Sequence, residues 1–189
     1  MVQYSLSILT FGEVIMNKPF IAIEGPIGVG KSSLAHRLSK TFGFYEEKEI
    51  VDENPFLSDF YDDIEKWSFQ TEMFFLCNRY KQIRDIESLN QGIVSDYHIH
   101  KNKIIFLDAD LDVLKSRIAQ RNRSFESQIE DDYLLTLKKD YLAYYESLKN
   151  DGANVIRIDT SQQDFVKNDY DYQNILNLVK PMIGENKDE

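Results

Sequence analysis

Residues 20–35, FIAIEGPIGVGKSSLA, carry the clearest structural signal in this chain. The first five form an apolar run of strand length, and the last five have the spacing of a helix. The turn between them fits the pattern G-x-x-x-x-G-K-[ST] and stands where that pattern requires, after a strand and before a helix. This order of elements predicts an α/β domain with a phosphate-binding loop.

The loop itself predicts a site for a nucleoside triphosphate. Its glycines let the backbone N–H groups point inward, and the helix N-terminus adds positive dipole. We expect Lys31 to reach the β- and γ-phosphates and the Ser32 hydroxyl to bind Mg²⁺. The expected nucleotide-binding residues are Gly25, Pro26, Ile27, Gly28, Val29, Gly30, Lys31, Ser32 and Ser33. The loop alone does not indicate which reaction the protein catalyses with that nucleotide.

Strand-like and helix-like segments alternate along the rest of the chain. Helices are predicted at 31–42, 59–89, 112–120, 129–148 and 174–183, the last interrupted at Pro181. Strands are predicted at 20–24, 44–47, 92–96, 103–109 and 155–158. Such alternation is typical of an α/β domain around a parallel sheet.

Composition limits the partners. The 189 residues carry a net charge of -10, which argues against nucleic acid or an anionic membrane as the main partner. The sequence has no apolar run long enough to span a bilayer. The one cysteine, Cys77, rules out an internal disulfide and permits a reducing cytoplasm, and its apolar helical surroundings predict an inert core thiol. We expect a cytoplasmic protein.

The N-terminal stretch differs from the rest. Residues 1–16 lack the positive charge of a signal peptide, and Met16 stands directly before the first strand. We therefore expect residues 1–16 to be a non-native or disordered extension and 17–189 to be a single domain.

Four motifs resemble the deoxynucleoside kinase family, in its bacterial deoxyguanosine and deoxyadenosine kinase branch. They are IAIEGPIGVGKSSLA, KEIVDENPFLSDFYDDIEKWSFQTEMFFLCNRYKQ, VSDYHI and RIAQRNRSFE, in order between Asn17 and Asp164. The resemblance implies a P-loop kinase with a parallel sheet flanked by helices and a small arginine-bearing lid at about 117–130. It also implies transfer of the ATP γ-phosphate to the 5′-hydroxyl of a deoxyribonucleoside, a nucleoside salvage reaction.

Two acids stand where the family has functional carboxylates. Glu49 follows the second strand, at the sheet edge where ligands bind, and falls at the position of the family's general base. Asp96 ends the third strand, where a carboxylate could bind Mg²⁺ or hold the base in place. The alternatives are a solvated charge for Glu49 and a strand-end cap for Asp96.

Three arginines supply positive charge. Arg117 and Arg121 are four residues apart and share a helix face, and Arg123 follows in the loop. They resemble the family's lid arginines, which stabilise charge on the transferred phosphate, so we list them with Lys31 as catalytic. An ordinary basic helix end is the alternative.

The resemblance also assigns residues to the nucleoside. Tyr61 and Glu126 fall where family members contact the sugar 3′-hydroxyl, although Tyr61 could equally be a core or rim tyrosine. Glu72 and Arg79 are two helical turns apart, and many family members have Gln and Arg there to contact the base. A carboxylate accepts from guanine N1–H and its 2-amino group, while arginine donates to O6 and N7. We therefore expect deoxyguanosine to be favoured, unless Glu72 merely lies on a solvated face.

The chain departs from the family at two places. Tyr97 stands where many members have arginine after the strand-end acid. Only six residues separate Asp96 from the strand at Lys103, whereas a parallel crossover needs a dozen or more. The family has a long helical crossover here, so either the gene carries a deletion or, as we prefer, the sequence as read omits a segment. A contiguous chain would need the two strands to pair as a hairpin, lie apart or join different sheets, exposing apolar surface.

Alternative functions stay open. They are a deoxyadenosine/deoxycytidine kinase and an internally deleted relative that binds nucleotide without activity. A nucleoside monophosphate kinase is disfavoured, because residues 49–80 are acidic where a second phosphate would need basic groups. The family forms dimers through helices that include part of the missing crossover, so a homodimer is expected only if that crossover is present.

Overall fold

The computed structural model describes residues 18–97, 103–126 and 128–184. The expected N-terminal extension, residues 1–16, lies outside the described residues, and so does the link at 98–102. The elements in chain order are β1 (Phe20–Glu24), α1 (Lys31–Phe42), β2 (Tyr45–Glu47), α2 (Leu57–Asp62), α3 (Ile64–Glu87), β3 (Ile93–Ser95), β4 (Lys103–Asp108), α4 (Leu111–Arg121), a 3-10 turn (Ser124–Glu126), α5 (Asp131–Asn150), β5 (Val155–Asp159) and α6 (Asp169–Ile183).

The strands form one parallel sheet in the order β2-β3-β1-β4-β5, which confirms the predicted class. β3 and β4 lie on opposite sides of β1, with Ser95 and Ile104 both level with Ala22. Of the three arrangements considered for a contiguous chain, the two strands therefore lie apart. The order of connections reverses between β1 and β3, where open α/β sheets hold their ligands.

Alternating side chains of the strands form two cores. On one face, Ile21 and Ile23 of β1 pack with Leu34 and Leu38 of α1 and with Val179 of α6. On the other face, a second cluster joins β1, β3 and β4 to α3 and α5, and its members are Phe20, Ala22, Ile86, Ile93, Ile104, Phe106 and Leu148. Helices on both faces are what a buried parallel sheet requires.

The predicted helix at 59–89 is two helices. Asp63 leaves the helical conformation (φ -150°, ψ 86°), and its side chain caps α3 by accepting the Lys66 N–H at 3.1 Å. The predicted interruption at Pro181 is also wrong. The helix continues through Pro181 to Ile183. Pro181 cannot donate an N–H to the carbonyl of Asn177, so α6 lacks one hydrogen bond in its last turn but does not end there.

Cys77 is exposed on α3, so the prediction of a core thiol is wrong. The apolar residues around it do not all face the sheet, because Met73 and Leu76 are exposed on the same helix. Among the helices of the described ranges, none is both long and apolar enough to cross a bilayer.

Candidate active site

A cleft of about 1220 Å³ opens at the carboxyl ends of β1, β2 and β3. The phosphate-binding loop forms its floor, and α3, α4 and α5 contribute its walls. Every residue predicted for catalysis or for substrate binding lines this cleft, namely Lys31, Glu49, Tyr61, Glu72, Arg79, Asp96, Arg117, Arg121, Arg123 and Glu126. Residues far apart in sequence are thus brought to one sheet edge.

The loop has the geometry that its glycines predict. Gly25 has φ 143°, and a Cβ there would lie 2.3 Å from the carbonyl oxygen of Leu107. Only glycine therefore fits between the loop and β4. Gly30, with φ 102°, caps α1, and the helix begins at Lys31, so its first N–H groups face the cleft.

Lys31 lies across this loop. Its ammonium donates to the carbonyl of Gly25 at 2.8 Å and to that of Pro26 at 3.3 Å. Burial lowers the pKa of Lys31, and the nearby carboxylates of Glu24, Glu49 and Asp96 partly offset that effect. A half-buried ammonium that donates to two backbone carbonyls is a ready partner for phosphate oxygens.

Asp96 connects the two sides of the cleft. One carboxylate oxygen accepts from the Ser32 hydroxyl at 2.5 Å, and the other accepts from the Glu49 backbone N–H at 2.7 Å. Ser32 and Asp96, both predicted for Mg²⁺, are therefore adjacent. No cluster of three metal-binding side chains occurs within the described ranges. Mg²⁺ in kinases uses few protein ligands together with substrate phosphates, and this donor set fits that habit.

Glu49 pairs with Arg79 of α3. The Arg79 Nε donates to Glu49 Oε1 at 3.1 Å, and its Nη2 contacts the same oxygen. The guanidinium also lies 5.5 Å from the ring centre of Tyr97. Arg79, predicted to contact the base, is thus engaged with the predicted general base. Glu72 is exposed on the cleft wall, two turns before Arg79.

A buried polar cluster lies behind this pair. Gln82 Nε2 donates to the carboxylate of Glu47, and the Tyr97 hydroxyl donates to Gln82 Oε1 at 2.8 Å. Burial raises the pKa of Glu47 to about 7, although its hydrogen bonds to Gln82 and Tyr97 oppose the shift. Tyr97 is thus a neutral donor that ties β3 to α3.

The three predicted lid arginines differ in their contacts. Arg117 donates to the backbone carbonyls of Val29, Thr160 and Gln163 at 2.9–3.3 Å, so its guanidinium joins the phosphate loop to the chain after β5. Its action on the phosphates stays a prediction. Arg121 and Arg123 instead approach a carboxylate at the cleft, that of Glu126.

Glu126 is buried, with Arg121 Nε at 3.6 Å and Arg123 Nη1 at 3.4 Å. Tyr61 stacks on the neighbouring Phe125, with 6.3 Å between ring centres. Burial is the main cause of a raised pKa for Tyr61, so its hydroxyl stays protonated. The two residues predicted for the sugar 3′-hydroxyl therefore share one wall of the cleft.

Sequence reasoning missed part of the α5 wall. Tyr133, Leu137 and Tyr141 line the cleft at intervals of four residues. Their spacing was a readable signal, because residues four apart share one helix face. Asp52 was also missed: it pairs with Arg123 at 2.9 Å and joins the loop after Glu49 to the arginine segment. No sequence pattern indicates that contact.

A phosphate-binding loop after β1, an acid after β2, a carboxylate after β3 and arginines in and just after α4 define a kinase of the P-loop class. Comparison with known proteins makes the assignment narrower. A family model described as deoxynucleoside kinase matches residues 21–107 and 101–184, and the chain belongs to this family. It is an enzyme that phosphorylates nucleosides for salvage.

Individual relatives are also nucleoside kinases, in agreement with the family model. The chain is 40% identical to the deoxyguanosine kinase of Bacillus subtilis, over 87% of this chain and 98% of the relative. It is 26% identical to the deoxyadenosine/deoxycytidine kinase of the same organism, over 92% and 97%. Among solved structures, deoxyadenosine kinase from M. mycoides with bound dATP superposes with a TM-score of 0.75, at 25% identity, over 86% of this chain and 99% of that one.

The comparisons also bear on the short link after β3. The family model matches in two pieces that meet at residues 101–107. The alignment with the Bacillus subtilis deoxyguanosine kinase spans 202 positions but includes only 87% of the 189 residues of this chain. That relative therefore has residues without a counterpart here. The intact mass of the native protein distinguishes a deletion from an omitted segment. A break in the Cα path at 101–106 would also indicate an omitted segment, but residues 101 and 102 lie outside the described residues.

Proposed function

We propose that this enzyme transfers the γ-phosphate of Mg²⁺-ATP to the 5′-hydroxyl of a purine deoxyribonucleoside, with deoxyguanosine preferred. One observation carries the proposal. Asp96 bonds both Ser32, on the nucleotide side of the cleft, and the backbone of Glu49, on the opposite side. A single carboxylate thus fixes the spacing between the donor loop and the candidate general base, and phosphoryl transfer depends on such positioning.

The roles on the donor side follow from this geometry. The loop N–H groups and Lys31 bind the phosphates, and Ser32 and Asp96 would hold Mg²⁺. When bound, Mg²⁺ neutralises charge on the β- and γ-phosphate oxygens. Arg121 and Arg123 lie at the cleft and would contact the transferred group, whereas Arg117 holds the loop against the chain after β5.

On the acceptor side, Glu49 takes the proton of the 5′-hydroxyl. Its backbone is held by Asp96 and its side chain by Arg79, so the carboxylate is oriented before substrate binds. Tyr61 and Glu126 would bind the 3′-hydroxyl. Glu72 would accept from the guanine edge, and Arg79 would complete the base contact once substrate displaces part of its pairing with Glu49.

Steady-state phosphorylation of the four deoxynucleosides tests the proposal, with dGMP as a fifth acceptor. We expect kcat/KM for deoxyguanosine to exceed that for deoxyadenosine by about 10²–10⁴, as in sites built on polar complementarity. Equal values for the two purines would refute the base assignment. Preference for deoxyadenosine or deoxycytidine would favour the alternative kinase, and preference for dGMP would indicate a monophosphate kinase. Nucleotide binding without turnover of any acceptor would identify an inactive relative.

Localisation in the cytoplasm and homodimer formation belong to the same proposal. The dimer is expected only if the crossover after β3 is present in the native protein, because the family's dimer uses helices from that region.

A further inference from the structure

The peptide unit between Lys48 and Glu49 is held from both sides. Its N–H, which is that of Glu49, donates to Asp96 Oδ1 at 2.7 Å. Its carbonyl, which is that of Lys48, accepts from Gln82 Nε2 at 2.7 Å. Asp96 follows β3 and Gln82 lies on α3, so two separate elements hold the peptide directly before the candidate general base. A peptide bonded through both of its polar groups cannot rotate without breaking one of the two bonds.

The side-chain amide of Gln82 is held in one orientation. A side-chain amide has two N–H donors and one acceptor oxygen. One N–H of Gln82 goes to the Lys48 carbonyl, the other goes to the carboxylate of Glu47, and the oxygen accepts from the Tyr97 hydroxyl at 2.8 Å. Turning the amide over would point its oxygen, which only accepts, at the Lys48 carbonyl, which also only accepts. Glu47 and Tyr97 therefore fix the orientation in which Gln82 bonds the peptide before Glu49.

The residues that orient Gln82 are themselves buried. Glu47 is 5% exposed and Tyr97 is 3% exposed. The backbone of Tyr97 is fixed as well, because the Ser95 hydroxyl donates to its carbonyl at 2.7 Å and accepts from its N–H at 3.2 Å. Ser95 lies in β3 and is fully buried. Buried polar groups that are bonded to one another have few alternative positions, so this cluster gives Gln82 a rigid support.

Arg79 adds a second contact from the same helix. It precedes Gln82 by three residues, so the two side chains lie on one face of α3. Arg79 pairs with the carboxylate of Glu49, whereas Gln82 bonds the peptide before it. The Arg79 guanidinium also lies 5.5 Å from the ring centre of Tyr97, which bonds Gln82. One turn of α3 thus contacts both the backbone and the side chain of the candidate general base.

We propose that Gln82 is a positioning residue for the general base and acts through the peptide between Lys48 and Glu49. The inference rests on the proposed function, in which Glu49 takes the proton of the 5′-hydroxyl. Gln82 is not among the residues that line the cleft, so its effect on the reaction passes through Glu49. Without Gln82 the peptide would keep only its bond to Asp96. A shift of a reacting group by about 1 Å can lower a rate by about 10²-fold, so this second bond matters to turnover.

Gln82→Met tests this role, because it removes all three hydrogen bonds at nearly unchanged size. We expect kcat for deoxyguanosine to fall about three- to tenfold, the value of an ordinary hydrogen bond, while its KM and the ATP affinity stay within about twofold. Gln91→Met makes the same substitution at an exposed position outside the cleft and should keep full turnover. Tyr97→Phe removes only the bond to the amide oxygen, so it should lower kcat less than Gln82→Met does.

Two further measurements separate positioning from a general loss of structure. In the Glu49→Gln background the general base is absent, so Gln82→Met should lower the residual kcat by less than about twofold, because effects that pass through one group do not add. Hydrogen exchange of the Glu49 amide, followed by NMR, needs no turnover. In Gln82→Met its rate should rise at least about threefold relative to the amides of β1, which report global unfolding, and in Gln91→Met it should not change.

Three outcomes would overturn the inference. One is wild-type kcat in Gln82→Met. Another is an equal loss of kcat from Gln82→Met in the wild-type and Glu49→Gln backgrounds, because Gln82 would then act on something other than the base. The third is unchanged exchange of the Glu49 amide in Gln82→Met. Wild-type turnover in Glu49→Gln would instead remove the general base on which the inference rests. Because that variant leaves Gln82 in place, the two failures are distinguishable.

Discussion

The donor half and the acceptor half of the cleft are built in opposite ways. The donor half is one contiguous stretch, residues 25–33, whose binding groups are mainly backbone N–H donors. The acceptor half is assembled from Glu49, Arg79 and Asp96, which come from three separate segments and act through charged side chains. A contiguous backbone site can be recognised from its sequence, whereas a site of paired charges exists only once the chain has folded.

This difference predicts different failures. A substitution in the donor half should disturb backbone conformation and therefore nucleotide affinity and stability together. A substitution in the acceptor half should remove a charge or a hydrogen bond and leave the fold intact, because Glu49 and Arg79 are not part of either apolar core. The variants below test this division, from the largest expected effect to the smallest.

Glu49→Gln should have the largest effect. The amide preserves size and can still meet Arg79, but it cannot take the proton of the 5′-hydroxyl. We expect kcat to fall by about 10²–10⁴, the usual contribution of a general base, with ATP affinity little changed. Steady-state kinetics and equilibrium ATP binding measure the two quantities. Glu53→Gln, an exposed acid in the same loop, is the control and should keep full turnover. Wild-type turnover in Glu49→Gln would reject the role.

Gly25→Ala probes the donor half. The new Cβ would meet the Leu107 carbonyl oxygen at 2.3 Å, and φ would have to stay at 143°. Gly43→Ala is a matched control, because Gly43 also has positive φ, 63°, but nothing lies within 4 Å of its Cβ. We expect about 1 kcal/mol of destabilisation for Gly43→Ala, the usual cost of a left-handed residue. Gly25→Ala should cost at least ~2 kcal/mol more and also weaken ATP binding. Similar losses for both, by urea unfolding, would show that the loop relaxes around the methyl group.

Glu72→Gln tests the proposed contact between the acceptor half and the guanine base. If Glu72 accepts from both guanine donors, the amide loses one acceptor and presents N–H to N–H. We expect kcat/KM for deoxyguanosine to fall by about 10–10², the value of a bidentate base contact, with deoxyadenosine little affected. The ratio of the two purines measured in one assay isolates the effect. Glu65→Gln, on the same helix but outside the cleft, should leave the ratio unchanged. A ratio unaltered by Glu72→Gln would place Glu72 on a solvated face.

The same division between a contiguous site and an assembled site explains which features could be predicted from the sequence. The loop, the ends of α1 and the residues predicted for catalysis and substrate binding followed from motif, spacing and resemblance, because each depends on neighbours in sequence or on a family frame. The pairing of Glu49 with Arg79 and of Asp52 with Arg123 did not, because it joins residues whose separation in space depends on the whole sheet. The exposure of Cys77 was mispredicted for a related reason: an apolar helical pattern does not say which sides of the helix pack against the rest of the chain.

The smallest effect on turnover concerns the cluster behind the acceptor half. Burial raises the pKa of Glu47 to about 7 from 4.5, so the folded state holds a proton that the unfolded chain releases earlier. The protonated carboxyl therefore contributes stability that is fully present below about pH 4.5 and is lost as the pH rises through 7. Glu47→Gln mimics the protonated form and does not titrate. Its free energy of unfolding relative to wild type should rise by about 2–3 kcal/mol between pH 4.5 and pH 8.

Urea unfolding of both proteins across that range measures this difference, and the other ionisable groups cancel in the comparison. If the cluster also orients Arg79 through Tyr97, Glu47→Gln should keep kcat near its wild-type value at neutral pH, because the neutral amide still accepts from Gln82. A stability difference that stays constant from pH 4.5 to 8 would mean that Glu47 ionises alike in both states. The Glu47 carboxyl behind the acceptor half would then not stay protonated at neutral pH, contrary to what its burial predicts.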